Sequence, residues 1–102
     1  MPRPKKLRCV RCKPDAVYFK PRGIPLVELE EISITMDELE AVRLADYEGL
    51  YHEKAAARMK ISRQTFGRIL REARKKVAGC LIKGKALKIE TNEEKPQRIP
   101  LW

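Results

Sequence analysis

One stripe of apolar residues recurs at helical spacing in the second half of the chain. Its members are Phe66, Ile69, Leu70, Ala73 and Val77. Spacings of three and four residues place these positions on one face of a helix, and a single apolar face predicts that the helix packs on a core at that side. Ser62 precedes the stripe as a good N-cap, and Gly84 follows it as an expected helix end.

A helix is also predicted to begin at Thr35. Thr35 and Glu38 have the spacing of a capping box, in which the side chain of each residue accepts a hydrogen bond from the backbone amide of the other. Gly49 is the expected end of this helix. Its apolar face is predicted to consist of Leu39, Val42 and Ala45.

A short helix is predicted from about His52 to Met59, between these two. The residues around its end suit a close crossing with the following helix. Two helices joined by a tight turn can cross closely only if a small residue lies near the crossing, and Ala56 is such a residue. Ile61 supplies an inward apolar residue in the turn, and Phe66 and Ile69 continue that face. This order predicts a helix-turn-helix, so the fold class is mainly α, with three to four helices.

The side of the last helix opposite Phe66 carries hydrogen-bond donors. At 100° per residue, the residues on this side lie about 140° to 200° from Phe66 around the helix axis. They are Gln64, Arg68, Arg71 and Lys75. Arginine and glutamine can read base edges in the major groove, and the first turns of a recognition helix usually reach the bases. We therefore expect base contacts from Arg63, Gln64, Thr65 and Arg68. Phosphate contacts are expected further along, from Arg71, Arg74, Lys75 and Lys76.

The segments that flank the helices differ from them. Five prolines within residues 1–25 exclude a long helix and predict an extended basic arm, with short β pieces at Leu7–Val10 or Val17–Phe19. Residues 26–84 form the predicted helix-turn-helix domain, although residues 26–34 fit a short helix and a strand equally well. In residues 85–102, the alternation of Leu87, Lys88 and Ile89 predicts a strand able to pair with the arm, followed by a flexible tail.

Charge strengthens the case for a polyanionic partner. The formal net charge is +9, and residues 1–22 carry eight basic groups against one acidic group. Arg3, Lys5 and Lys6 lie in a Pro-interrupted arm that fits either entry into a minor groove or general attraction to phosphates. No apolar run approaches the length of a membrane span, and an odd cysteine count does not suit a secreted disulfide framework. A cytoplasmic location is expected.

Cys9 and Cys12 have the spacing of half a zinc site. A structural zinc ion needs four ligands, and only Cys80 and His52 remain as strong candidates, both distant in sequence. Basic neighbours would lower the pKa of the two thiols, which would suit redox sensing. Two reduced cysteines without a metal or cofactor are the expectation. The lone His52, expected to be exposed, has no nucleophile arranged with it, so no enzymatic activity is expected.

The segment TMDELEAVRLADYEGLYHEKAAARMKISRQTFGRILREARKKVAGCL resembles region 4 of bacterial sigma factors. Together with MPRPKK, YFKPRGIPLVELEEISITMDELEAVRLAD and GKALKIE, it is similar to a family of small prokaryotic proteins predicted to bind DNA, whose function is uncharacterised. The resemblance covers roughly residues 1–90 and implies a recognition helix from Ser62 to Arg74. Two residues depart from the pattern: Lys60 replaces a turn glycine, and Tyr51 replaces a capping Ser or Asp.

These observations predict sequence-specific binding of double-stranded DNA in transcriptional regulation. Homodimerisation is expected, because one small domain makes few specific contacts alone. The apolar residues at 24–34 or the terminal strands are the predicted dimer interface. The alternative is a protein-interaction module that docks on RNA polymerase or another regulator without reading DNA. An RNA-binding adaptor is disfavoured, because the chain lacks paired aromatic residues for stacking.

Overall fold

Three α-helices and a three-stranded sheet form the part of the chain described by the computed structural model, residues 8–91. The helices are α1 (Met36–Val42), α2 (His52–Met59) and α3 (Arg63–Lys83). The strands are β1 (Tyr18–Phe19), β2 (Glu31–Thr35) and β3 (Ala86–Glu90). The predictions for Arg3, Lys5, Lys6 and the tail beyond Thr91 lie outside the described residues.

The starts of the helices follow the local capping signals. Both hydrogen bonds of the Thr35–Glu38 capping box are present, which confirms the predicted start of α1. Ser62 caps α3, because its hydroxyl accepts from the amide of Thr65 at 3.1 Å. Helix α2 has its predicted bounds, and Tyr51 at its N-cap makes no side-chain capping hydrogen bond.

The helix predicted to begin at Thr35 changes from α-helical to π-helical before it ends. After Val42 the chain continues as a π-helical segment over Arg43–Tyr47. The amide of Glu48 donates to the carbonyl of Arg43 at 2.7 Å, and Gly49 then turns the chain away with φ of 77°. Gly49 is therefore close to the end that the sequence predicts, but the wider turn within the helix was not expected.

The fold is rich in helix, as the sequence predicts, but the three-stranded sheet makes it mixed. Strand β3 lies in the centre, antiparallel to β1 and parallel to β2. The predicted strand at 87–89 and its pairing with the arm are thus confirmed. Residues 26–34 contain both alternatives, a 3-10 turn at Leu26–Glu28 and then β2. The parallel pairing of β2 and β3 was not predicted, because it joins residues more than fifty positions apart in sequence.

Two apolar clusters hold the helices and the sheet together. The first lies between α1, α2 and α3 and centres on Phe66, Met59 and Leu44. The second joins α3 to the sheet through Ala73, Ile34 and Ile89. Of the predicted stripe on α3, Phe66, Leu70 and Ala73 are fully buried, whereas Ile69 and Val77 are partly buried at its margins.

One strand comes from each of the three segments predicted from sequence. Strand β1 lies within residues 1–25, β2 within residues 26–84 and β3 within residues 85–102. The described parts of these segments therefore pack against one another in a single sheet. Within residues 8–91, no helix combines the length and the apolar character needed to cross a membrane.

Candidate nucleic-acid interface

A three-residue turn, Lys60 to Ser62, joins α2 to α3. Lys60 adopts the left-handed conformation, with φ of 59° and ψ of 44°. Its amide donates to Ala57 O and the amide of Ile61 donates to Ala56 O, both at 3.1 Å, which is the hydrogen-bond pattern of a Schellman motif. Ile61 packs against the first cluster. Ile61 therefore has its expected inward position, and Lys60 adopts the left-handed conformation that favours the glycine it replaces.

The outer face of α3 presents an exposed row of polar and basic side chains, as the sequence predicts. Gln64, Arg68, Arg71 and Lys75 are all exposed, and so is Arg63 at the first position of the helix. Within the described residues, none of these four cations forms an ion pair with a carboxylate. No carboxylate of residues 8–91 therefore compensates their charges through an ion pair. We call Gln64, Arg68, Arg71 and Lys75 the outer stripe; Arg63 lies beside its start.

Two of the predicted phosphate contacts lie off this stripe and have partners within the protein. Arg74 donates to Asp46 from Nη2 at 2.7 Å and from Nε at 3.2 Å. Lys76 is half-buried, and its Nζ lies 2.9 Å from Glu38 Oε1. Both cations are thus neutralised by acidic side chains of the preceding helical region. The structure therefore separates them from the outer stripe that they were expected to extend.

Thr65 differs from the other predicted base contacts. It is only partly exposed, and its Oγ1 accepts a hydrogen bond from the hydroxyl of Ser62 at 3.0 Å. Its backbone amide is also used in the cap of α3. Thr65 therefore contributes to the start of the helix, and the outer stripe begins beside it.

Glu40 was not singled out by the sequence analysis, although its side chain fixes the described arm to the domain. Only 1% of Glu40 is exposed. Its carboxylate accepts from the amides of Arg11 at 3.2 Å and Cys12 at 3.0 Å, and from Nε and Nη2 of Arg43, both at 3.0 Å. Burial acts to raise the pKa of Glu40, but these hydrogen bonds outweigh burial and lower it. Glu40 lies four residues before Leu44 on one helical face, but that spacing does not distinguish Glu40 from the other acidic residues of the helix.

Cys12 does not have the activated thiol that its basic neighbours suggested as an alternative. Burial raises the pKa of the Cys12 thiol, and the charge of Glu40 adds to that effect. The basic side chains nearby do not overcome it, so the expected lowering is wrong for Cys12. Cys9 and Cys12 belong to no group of three or more potential metal ligands within the described residues.

His52 is half-buried, where the sequence suggested an exposed residue. Its ring meets the ring of Phe66 in an edge-on arrangement, with centroids 5.3 Å apart and planes at 67°. Such a contact adds to the packing between the first turn of α2 and the start of α3. His52 therefore belongs to the scaffold beneath the outer stripe.

An apolar groove lies beside the C-terminal end of α3, remote from the turn that joins α2 to α3. It has a volume of about 410 Å³, and Phe19, Val77, Leu81 and Leu87 are among its lining residues. Leu81 and the neighbouring Ile82 are 79% and 77% exposed, which is unusual for two consecutive large apolar residues. Leu26 and Val27 are also exposed. Leu26 and Val27, with Phe19 and Leu87 of the terminal strands, thus give the predicted dimer regions apolar surface, whereas Leu81 and Ile82 lie outside those regions.

Comparison with known proteins shows close relatives. The chain is 58% identical over 90 residues to a UPF0251 protein of Desulfosudis oleivorans, covering 88% of this chain and 65% of that protein. It is 56% identical over 90 residues to a UPF0251 protein of Caldanaerobacter subterraneus, covering 88% and 76%. A UPF0251 protein of Vibrio vulnificus is 49% identical over 98 residues, covering 96% and 98%. No solved structure matches the chain significantly.

A family model described as "Protein of unknown function DUF134" matches residues 1–97. The match includes the arm, all three helices and the whole sheet. It confirms the predicted membership of an uncharacterised prokaryotic family, while the resemblance to sigma region 4 stays a prediction. The chain belongs to this family, DUF134, whose relatives carry the name UPF0251.

Proposed function

We propose that this protein binds double-stranded DNA in a sequence-specific manner, with α2 and α3 as a helix-turn-helix and α3 as the recognition helix. The observation that carries the proposal is the division of charge on α3. The cations of the outer stripe have no acidic partner within residues 8–91, whereas Arg74 and Lys76, which lie off the stripe, are paired. One face of the helix is thus left for an external polyanion.

The packing beneath α3 supports the same role. Phe66 and Leu70 are buried on the inner face, and α2 crosses beneath them with the small residues Ala55 and Ala56. A helix held by its inner face can present its outer face to a major groove without rearrangement. Arg68 suits guanine O6 and N7, and Gln64 suits adenine N6 and N7. Arg71 and Lys75, further from the N-terminus, suit phosphates.

Salt dependence tests the proposal. Each phosphate contact releases counterions, so the affinity for mixed-sequence duplex should fall steeply as salt rises. Arg71→Ala and Lys75→Ala should each reduce the slope of log affinity against log salt by about 1. Lys88→Ala is the matched control, because Lys88 is an exposed cation on β3. Absence of duplex binding at low salt, or equal effects of all three variants, would overturn the proposal.

We expect the DNA-binding form to be a homodimer acting in transcriptional regulation. The exposed Leu81 and Ile82, beside the apolar groove, support a contact with a second copy at the end of α3 remote from the outer stripe. In vitro selection of bound duplex tests this assembly. A palindromic consensus supports a dimer, whereas an asymmetric consensus supports a monomer or a complex with RNA polymerase.

Exposed apolar surface also favours the alternative, a module that docks on RNA polymerase or another regulator without reading DNA. The two functions differ in a direct measurement. In the alternative, Leu81→Ser abolishes partner binding while the outer-stripe variants leave it unchanged. If DNA is the ligand, the outer-stripe variants have the larger effect.

A further inference from the structure

The described arm enters the domain directly beside the turn between α2 and α3. The amide of Cys9 donates to the carbonyl of Met59, the last residue of α2, at 3.1 Å. Val10 then packs against the first apolar cluster. The chain is therefore fixed to the domain from its ninth residue and lies next to Lys60.

The buried carboxylate of Glu40, on α1, holds this part of the arm against the domain. A buried carboxylate is unfavourable unless hydrogen bonds and an opposite charge compensate it. Here Arg43 supplies the charge, and two consecutive amides of the arm, those of Arg11 and Cys12, supply hydrogen bonds. Movement of the arm away from α1 would leave the carboxylate without those two donors. The path of residues 9–12 is consequently determined by α1.

This arrangement leaves a concave basic surface that encloses a volume of about 440 Å³. Arg11 from the arm, Arg58 from α2 and Lys60 from the turn contribute exposed cations to it. None of the three forms an ion pair within the described chain, whereas Arg43 at its base is neutralised by Glu40 and Glu48. We call Arg11, Arg58 and Lys60 the turn surface.

The turn surface lies beside the start of the proposed recognition helix. Lys60 is two residues before Ser62, the N-cap of α3, and Arg63 is the first residue of that helix. Cations are therefore concentrated on one flank of the outer stripe.

We infer that the turn surface is a second DNA contact, which binds the phosphodiester backbone next to the bases contacted by α3, and that Glu40 is its positioning residue. The inference rests on the proposed function, because it concerns the same duplex. Three cations without an ion-pair partner among residues 8–91 surround a concave surface and match a run of phosphates. The carboxylate that lines this surface within the same residues, that of Glu40, is compensated by Arg43. The second contact lengthens the DNA site on one side of each recognition helix.

Hydroxyl-radical footprinting on a selected duplex tests the turn surface. The triple variant Arg11→Ala, Arg58→Ala and Lys60→Ala should lose protection of the flanking backbone on one side and keep protection at the bases facing α3. Its salt slope should fall by about 2 to 3, with an unchanged ratio of specific to nonspecific affinity. The control is Arg22→Ala, Lys83→Ala and Lys88→Ala, which removes three exposed cations near the sheet.

The outcomes separate the two proposals. If the wild-type protein binds no duplex, the proposed function fails. If the wild-type protein binds and the two triple variants have equal slopes and footprints, the turn surface is not a DNA contact, and the proposed function stands.

Glu40→Gln tests the positioning role. The variant keeps a similar shape but weakens the hydrogen bonds to the arm and to Arg43, so flanking protection should shorten while protection by α3 persists. Cys12→Pro removes one amide donor and leaves the Glu40–Arg43 pair intact, so it applies the same test if Glu40→Gln does not fold. Equal loss of flanking and central protection in the folded variant would show that Glu40 only maintains the domain.

Discussion

Arg74 and Asp46 form a bidentate ion pair that joins α3 to the π-helical segment. Arg74 Nη2 lies 2.7 Å from Asp46 Oδ1, and Nε lies 3.2 Å from Oδ2. The hydrogen bond from Arg74 lowers the pKa of Asp46, so the carboxylate is charged at neutral pH. Because Arg74 already pairs with Asp46, a phosphate contact by Arg74 should add less binding free energy than one by an unpaired cation.

Arg74→Ala should therefore weaken duplex binding less than Arg71→Ala does. Asp46→Asn removes the competing charge, so it should strengthen nonspecific binding and raise the salt slope by up to about 1. Fluorescence anisotropy over a series of salt concentrations measures both quantities. Equal losses from Arg74→Ala and Arg71→Ala would show that the ion pair opens on DNA.

Gln64 and Arg68 should determine sequence preference. Their alanine variants are expected to lose discrimination between a selected duplex and a random one, by about 1 to 3 kcal/mol for each base pair concerned. Nonspecific affinity should change little for Gln64→Ala. Competition binding with the two duplexes measures the ratio. A uniform loss on both duplexes would identify these side chains as phosphate contacts.

Lys60 should affect stability and DNA binding in opposite directions. Its φ of 59° strains a residue with a Cβ, so Lys60→Gly is expected to stabilise the fold by roughly 0.5 to 1 kcal/mol. The same change removes a cation from the turn surface and should weaken binding. Lys60→Asn is the control, since it removes the charge but tolerates the left-handed conformation. Urea denaturation and anisotropy give the two results, and tighter binding by Lys60→Gly would contradict the prediction.

Gly67 should lower the stability of α3 and allow its backbone to approach DNA closely. Apart from its chain neighbours and the adjacent helix backbone, no atom lies within 4 Å of where a Cβ of residue 67 would be, so Gly67→Ala is expected to stabilise α3 by about 1 kcal/mol. If the backbone of α3 approaches a DNA strand at this position, the added methyl group weakens specific binding. A stabilised variant with unchanged affinity would assign Gly67 no part in that approach.

Acid should destabilise the fold through three carboxyl groups. Burial acts to raise the pKa of Asp37 and of Glu40, but hydrogen bonds, including those from Arg8 to Asp37 and from Arg43 to Glu40, outweigh it and lower both pKa values. Arg74 lowers the pKa of Asp46. A carboxyl pKa that is lower in the folded state stabilises the protein above the unfolded values, which are about 3.9 for Asp and 4.3 for Glu.

The free energy of unfolding should therefore decrease as pH falls below about 4.5 and through the folded pKa values. Urea denaturation at a series of pH values between neutral and acid measures this decrease. Asp46→Asn should make the dependence shallower, because one of the three groups no longer titrates. A free energy that stays constant or rises on acidification would contradict the assignment.

Local rules were sufficient to predict the region around the outer stripe. Ser62, Thr35 and Lys60 occupy positions at which capping or turn geometry depends on a few neighbouring residues. The face of α3 that would be exposed followed from one apolar stripe. These features could be predicted because their determinants lie within one or two helical turns.

Features made by distant residues were not predictable in the same way. Glu40 looks in sequence like one acid among several on a surface helix, and its burial depends on the arm returning to cover it. The pairs of Arg74 with Asp46 and of Lys76 with Glu38 join residues 28 and 38 positions apart. Helical periodicity indicates exposure, but it does not indicate which acidic residue of another element lies opposite.

The length of α3 has a mechanical consequence. Its 21 residues form one rod about 30 Å long, with Arg63 at one end and the exposed Leu81 and Ile82 near the other. A tilt of about 10° around the far end displaces the first turn by about 5 Å, comparable to one helical pitch. If the proposed dimer forms through Leu81 and Ile82, a small change in the angle of that contact would change the spacing between the first turns of the two α3 helices by several ångströms.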